Sequence, residues 1–252
     1  MSVTVLQIIA MVTMLIDHIG AVFMDSAIPW RAVGRFAFPI YAFLLAEGFR
    51  HIRHDPARVE SHLKGYVVLT LVSEVCYDLM ETKPFTVEAA RESQSVMVTL
   101  LLAFLGLLAI ERWRDSPVCV GAAVLLTAFA CWAVLSNYRF GGVLLVYGCY
   151  WYLEHVLDKP YHVRLLALLG VMAGYLAVYH WARYEFCTGD VYLAKLRTAN
   201  AIWYTMHVPI AILLAFYKGE RGPRNKVYQT FYKCFYPAHM LVIGLLHQFT
   251  EL

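Results

Sequence analysis

Several residues of this chain carry chemistry into runs that are otherwise apolar. They are Asp17 and His18, Arg35 and Glu47, Glu74 and Asp78, His207 and His239. An ionisable group in the core of a bilayer costs roughly 2.5–3.5 kcal/mol on insertion scales, so such groups are paired or functional by default. Histidine is the side chain suited to take a proton near neutral pH. Arginine or tyrosine can supply positive potential to a developing oxyanion. A set of this kind suits proton transfer coupled to group transfer, or the movement of protons or cations.

Spacing refines the roles. Asp17 and His18 are neighbours, roughly 100° apart on a helix, so they cannot both point squarely at one atom. One is expected to face a cavity and the other a neighbouring helix. Glu74 and Asp78 stand four residues apart and share a face, which calls for a cation or hydrogen-bond donors. Arg35 is the expected cation. Gln94, Ser95 and Thr99 open the next apolar run. Pro237 precedes His239 and is expected to disturb a backbone hydrogen bond there. The plainer alternatives stay open at this point. Asp17, Arg35, Glu74 and Asp78 form a structural ion-pair network, or they also contact substrate. His239 is a placed side chain, or a core histidine satisfied by a tyrosine or carbonyl. His207, followed by Pro209, lacks carboxylate neighbours and reads more simply as core. Trp30, Trp113, Trp151, Tyr152 and Trp181 read as anchors at the membrane interface.

These residues sit in a chain of 252 residues that is 60% hydrophobic and 15% charged. Its mean hydropathy is +0.57. A soluble fold of this size cannot hide so much apolar surface, which points to an integral membrane protein. The same figures exclude a soluble globular enzyme, a disordered chain and a secreted disulfide scaffold. A net charge of +3 gives no basis for nucleic-acid binding. The six cysteines, Cys76, Cys119, Cys131, Cys149, Cys187 and Cys234, show no metal-ligand spacing and are expected to be buried free thiols, with only Cys187 in a clearly polar stretch. No metal is expected.

Apolar runs long enough to span fall at 3–24, 32–50, 64–80, 95–111, 117–136, 141–158, 163–180, 199–217 and 229–249. This predicts an all-α, polytopic transmembrane helix bundle of about nine helices (eight to ten), forming a single domain over residues 1–252. The first run lacks a basic leader and a cleavage site, so it is expected to remain as a helix. Residues 51–63 are expected to form a polar loop or an interfacial helix, and 181–198 and 218–228 are the other sizeable polar loops. Thirteen of the 21 Lys and Arg residues fall in the loops that follow even-numbered spans, and eight in those that follow odd-numbered spans. That bias places the N-terminus in the cytoplasm and makes the 51–63 loop cytoplasmic.

Depth gives the most specific expectation. At 1.5 Å per residue, Asp17 lies about 20 Å along the first span, and Glu74 and His239 about 15 Å along theirs, while Arg35 lies about one turn into the second. Alternate helices reverse, so these residues share the outer half of the membrane. Glu47 is the exception, on the cytoplasmic side. One water-accessible cavity lined by the first four spans and the last is therefore expected.

Residues 7–20, QIIAMVTMLIDHIG, resemble the opening K-x-I-A-x-x-x-M-x-x-D-H-I-G of the TraX family. Gly34-Arg35-Phe36-Ala37-Phe38-Pro39-Ile40 resembles its G-R-x-A-F-P-x motif, continued by Glu47-Gly48-Phe49. Residues 94–101 resemble Q-N-V-x-x-T-L, and Phe235 to Met240 resembles F-Y-P-x-H-L. The motifs occur in order over most of the chain. Ser95 stands where the family usually has Asn, and Arg139-Phe140-Gly141-Gly142 alters its usual tyrosine–glycine loop.

The resemblance implies a membrane-embedded acyltransferase that moves an acetyl or short acyl group from cytosolic acetyl-CoA to an amine or hydroxyl, as in N-terminal acetylation of conjugative pilin. It implies His18 as the catalytic residue, supported by Asp17 and Arg35, with His239 as the histidine of the C-terminal motif. Arg35, Glu47, Glu74, Asp78, Gln94, Thr99 and Tyr236 are the expected substrate-binding residues. The expected partners are the acyl-CoA donor, the lipid bilayer of the inner membrane, and an acceptor that is a pilin, a glycan or a small molecule. The basic 50–64 and 218–233 segments are candidate docking surfaces for the coenzyme A phosphates, or simply the cytoplasmic charge bias. A proton- or cation-coupled transporter is the alternative, although no inverted repeat is visible. A non-enzymatic membrane scaffold would not need so many buried ionisable groups.

Overall fold

The computed structural model describes residues 1–24, 28–81, 94–134, 136, 138–186, 206–222 and 225–249, with the side chains of 28, 29 and 180–186 left aside. Lys83, Arg91, Cys187, Lys195, Arg197 and Arg224 lie outside that description, as do the side chains of Trp181 and Arg183, most of the 181–198 loop and the first residues of the 199–217 span. Among the described residues the fold is all-α, without strands. The helices are α1 (Val3–Phe23), α2 (Ile28–Gly34), α3 (Ala37–Ile52), α4 (Pro56–Glu81), α5 (Val96–Arg112), α6 (Pro117–Ala133), α7 (Arg139–His155), α8 (Tyr161–Phe186), α9 (Met206–Ala215) and α10 (Lys226–Phe249). Among the described residues, each expected span overlaps one of these helices or, for the second span, the α2–α3 pair.

Three segments among the described residues are long and apolar enough to cross a membrane by length and composition: Val3–Phe23, Trp30–Ile52 and Tyr161–Tyr179. Pro117–Ala133 and Met206–Ala215 are shorter apolar helices.

Two features differ from expectation. The second span is broken at Arg35 and Phe36, where the chain turns between α2 and α3. Pro39 explains the break. Its ring would collide with the carbonyl of Arg35, four residues earlier, and it has no N–H to give that carbonyl, so a helix cannot run through both. Pro39 is tolerated in the first turn of α3. Arg35 therefore occupies a junction and not the first turn of a continuous helix. The second difference is the 51–63 segment. Only residues 53–55 leave the helical path, and α4 begins at Pro56. Asp55 caps it, its Oδ1 accepting from the Arg58 N–H at 3.1 Å. Asp before Pro is a helix-start signal, and Pro costs nothing at the first helical position.

The chain forms two compact units. The first comprises Met1–Leu44 and Gly148–Pro223, the second Leu45–Tyr147 and Arg224–Leu252. In the first unit α1 packs on α2. Its core includes Leu6, Ala10, Ile40, Tyr152, Leu168 and Tyr217, all fully buried. In the second unit α4 packs on α5 and α10, and α5 on α6. A Cβ at Gly244 would come within 3.0 Å of the Met80 backbone nitrogen, so α10 meets the end of α4 closely only because that position is glycine. One turn on, His247 Nδ1 donates to the Met80 carbonyl at 3.0 Å and Gln248 to the Leu79 carbonyl at 3.1 Å. The last carbonyls of a helix have no partner within it, and α10 supplies these two.

Candidate functional site

In the first unit the site grows from the α1–α2 contact. Asp17 lies on α1 directly against Gly34, where a Cβ would overlap its side chain. A Cβ at Gly20 would likewise overlap Trp30. The two helices can approach only with glycine at both positions. The Asp17 carboxylate, 17% exposed, then lies 3.9 Å from the Nε of Arg31, which is 43% exposed. Arg35 also acts on Asp17 electrostatically. Arg31 and Arg35 are one helical turn apart, which is why both reach the same carboxylate. Arg31 escaped sequence reasoning, although its spacing from Arg35 carried the signal. His18, next along α1, is half-buried.

The same unit holds His207, buried at the start of α9, with its ring 5.6 Å from that of Tyr175. Tyr175 in turn meets Phe38 at 6.3 Å.

In the second unit Glu74 is bound by Ser95. The Ser95 backbone N–H donates to both carboxylate oxygens at 3.2 Å, and the Ser95 hydroxyl donates to Oε1. Ser95 is the N-cap of α5, and its hydroxyl also accepts from the Met97 N–H at 3.2 Å. Helix N-termini leave N–H groups unmatched and favour nearby negative charge. Glu74 is therefore matched by donors of the backbone and the serine hydroxyl. Asp78 lies half-buried one turn further along α4.

Gln94 lies just outside α5 and pairs with Ser136 as an isolated parallel bridge. Ser136 is buried, and its hydroxyl donates to the Cys131 carbonyl at 3.2 Å. Thr99 is buried, and its hydroxyl has no hydrogen-bond partner among the described residues. Tyr236 is buried on α10, hydrogen-bonded to Ser95 and near Glu74, Tyr77 and Tyr138. Tyr77 and Tyr138 were not anticipated. Nothing in their local sequence marks them, since only the chain crossing between α6 and α7 brings Tyr138 here.

His239 lies one turn beyond Tyr236. Its Nδ1 is 2.7 Å from the Phe235 carbonyl, and its ring stacks on Phe235 at 4.9 Å with 17° between planes. A carbonyl only accepts, so Nδ1 carries the proton and Nε2 is the lone-pair nitrogen of the neutral ring. The α10 helix runs on through Pro237.

Glu47 is buried near the end of α3 and interacts along its own helix, with His51 Nδ1 at 3.4 Å and Arg50 at 4.0 Å. Beside it Arg53 lies 3.6 Å from Glu111, which Arg114 also contacts at 3.3 Å. This end of the second unit is basic, with Arg58, His62 and Lys64 on the first turns of α4. Cys76, Cys131 and Cys149 are buried free thiols, whereas Cys234 is exposed, contrary to expectation.

Thus the structure brings Asp17 together with Gly34, Arg31 and Arg35 in one unit. It brings Glu74 together with Ser95 and Tyr236 in the other, with His239 one turn from Tyr236. The cavity expected from membrane depth draws on residues of both units.

Apolar helices that carry a half-buried carboxylate beside arginines, a neighbouring histidine and a second carboxylate–serine–tyrosine group define a polytopic α-helical membrane protein with ionisable residues set in its helices. The TraX protein family model matches residues 2–247, and the chain belongs to that family. No curated protein and no solved structure matches the chain.

Proposed function

We propose that the protein is a membrane acetyltransferase that transfers the acetyl group of acetyl-CoA to an amine or hydroxyl acceptor, as in the pilin acetylation with which the TraX family is associated. The observation that carries this reading is the grouping of Asp17 with Gly34, Arg31 and Arg35, directly beside His18, in a chain matched by the family over nearly its whole length. In this reading His18 is the general base and Asp17 orients it or holds the arginines.

His18 takes the proton of the acceptor amine or hydroxyl as its nitrogen or oxygen attacks the thioester carbonyl. The tetrahedral intermediate carries an oxyanion, which positive potential from Arg35 stabilises. Collapse breaks the carbon–sulfur bond, and the proton held by His18 passes to the departing thiolate. The products are the acetylated acceptor and free coenzyme A. His239, with a lone pair on Nε2, is the rival base. Glu47, Glu74, Asp78, Gln94, Thr99 and Tyr236 remain the proposed substrate-contacting set, with Glu74 and Tyr236 supported by their common partner Ser95. The basic surface around Arg53, Arg58 and Lys64 suits the phosphates of the donor, with this face and the N-terminus in the cytoplasm of an inner-membrane protein.

The test is binding and slow hydrolysis of acetyl-CoA by the purified chain in detergent or liposomes. Saturable binding with release of free coenzyme A supports the reading. A protein that neither binds nor turns over acetyl-CoA, yet moves protons or cations across liposomes, is a transporter instead.

A further inference from the structure

Away from these residues, the first unit buries a guanidinium that no carboxylate neutralises among the described residues. Arg164, in the first turn of α8, is 8% exposed. Its Nη1 donates to the Tyr217 carbonyl, just beyond α9, at 2.8 Å. Its Nε is buried and has no acceptor among the described residues. Tyr152 on α7 is fully buried, and its hydroxyl has no hydrogen-bond partner among the described residues. The two side chains are near enough to act on each other electrostatically. Phe43 packs against Tyr152 at 6.2 Å and Tyr217 at 5.3 Å, closing the group on one side.

Burying a charge without a counter-charge is costly, and so is burying a donor without an acceptor. One backbone carbonyl offsets neither in full. Both orphaned groups can donate, and one belongs to a fixed positive charge. That combination fits an anionic oxygen, which the planar guanidinium and the phenol can hold together. It does not fit a cation or an apolar group. The place is also informative. The first turn of α8 and the second residue after α9 are helix ends, where a spanning segment reaches the level of the lipid headgroups. Phosphates are the anions concentrated at that level.

We propose that Arg164 and Tyr152 bind a phosphate oxyanion. Two sources present that chemistry: the headgroup of an anionic phospholipid, and the phosphates of coenzyme A. The second source rests on the acetyltransferase reading, and the first does not.

The full chain, purified after reconstitution with phosphatidylglycerol and a phosphate-free galactolipid, is compared as wild type, Tyr152→Phe and Arg164→Gln. Native mass spectrometry reads the retained lipid, and thermal unfolding reads the effect of added coenzyme A. If the source is lipid, the wild type retains phosphatidylglycerol over galactolipid, Tyr152→Phe retains roughly tenfold less, and Arg164→Gln retains none. If the source is the donor, coenzyme A raises the wild-type midpoint, and the rise is reduced in Tyr152→Phe and lost in Arg164→Gln. The proposal is overturned if all three proteins behave alike in both measurements, or if the wild type shows neither effect. If Arg164→Gln does not fold, Tyr152→Phe decides alone, since it removes one oxygen and leaves the arginine in place. Retained phosphatidylglycerol in a protein with no acetyl transfer would sink the enzyme reading and leave this site standing.

Discussion

The side chain of Asp17 occupies the space that a Cβ on Gly34 would need. The aspartate of the first helix and the glycine before Arg35 are therefore one packing unit, although 17 residues separate them in sequence. Gly34→Ala should push α1 and α2 apart. Overpacking of this kind costs roughly 1–3 kcal/mol. Denaturant or thermal unfolding of the purified protein should show the loss, and Gly20→Ala, against Trp30, should behave alike. An unchanged midpoint for both would mean that the helices do not meet as described.

Ser95 joins a helix cap to the Glu74 carboxylate, so its replacement has a graded signature. Ser95→Ala should cost about 0.5–2 kcal/mol, the usual range for a lost N-cap. Ser95→Asn should recover most of that, because asparagine caps equally well. Equal stability of the alanine and serine proteins would contradict the capping role.

Legibility differed between the helices and their contacts. The nine apolar runs were visible because lipid-spanning helices need long unbroken stretches of apolar residues, and Asp17, His18, Glu74 and His239 stood out against them. The break at Arg35 was also encoded, in Pro39, but a hydropathy pattern does not register a single missing N–H. The donors that bind Glu74 within its unit, a backbone N–H and a hydroxyl of Ser95, were not legible because they carry no charge. Arg31 was not singled out, although its four-residue spacing from Arg35 places both one helical turn apart beside Asp17.

Arg139 begins α7 with φ 46°, a left-handed conformation that side chains with a Cβ adopt at a cost of roughly 1–2 kcal/mol. Arg139→Gly should relieve that strain and raise the unfolding midpoint. A lowered midpoint would show that the arginine's own interactions outweigh the backbone cost.

Topology is tested at the turn between α3 and α4. A reporter fused at residues 53–55 should give a cytoplasmic signal, given the surrounding Arg50, Arg53, Arg58 and Lys64. A periplasmic signal would reverse the chain and move the proposed donor surface to the wrong side.

The central claim is that acetyl transfer runs on His18. Its most direct test is transfer of labelled acetyl from acetyl-CoA to an acceptor amine by purified protein, with wild type, His18→Ala and His239→Ala compared at equal folded amounts. Loss of a general base typically lowers the rate about 10²–10⁴-fold. His18→Ala should show that loss while unfolding at the wild-type midpoint, and His239→Ala should lose less. Near-normal transfer by His18→Ala would contradict the account, and a selective collapse of His239→Ala would pass the base role to α10.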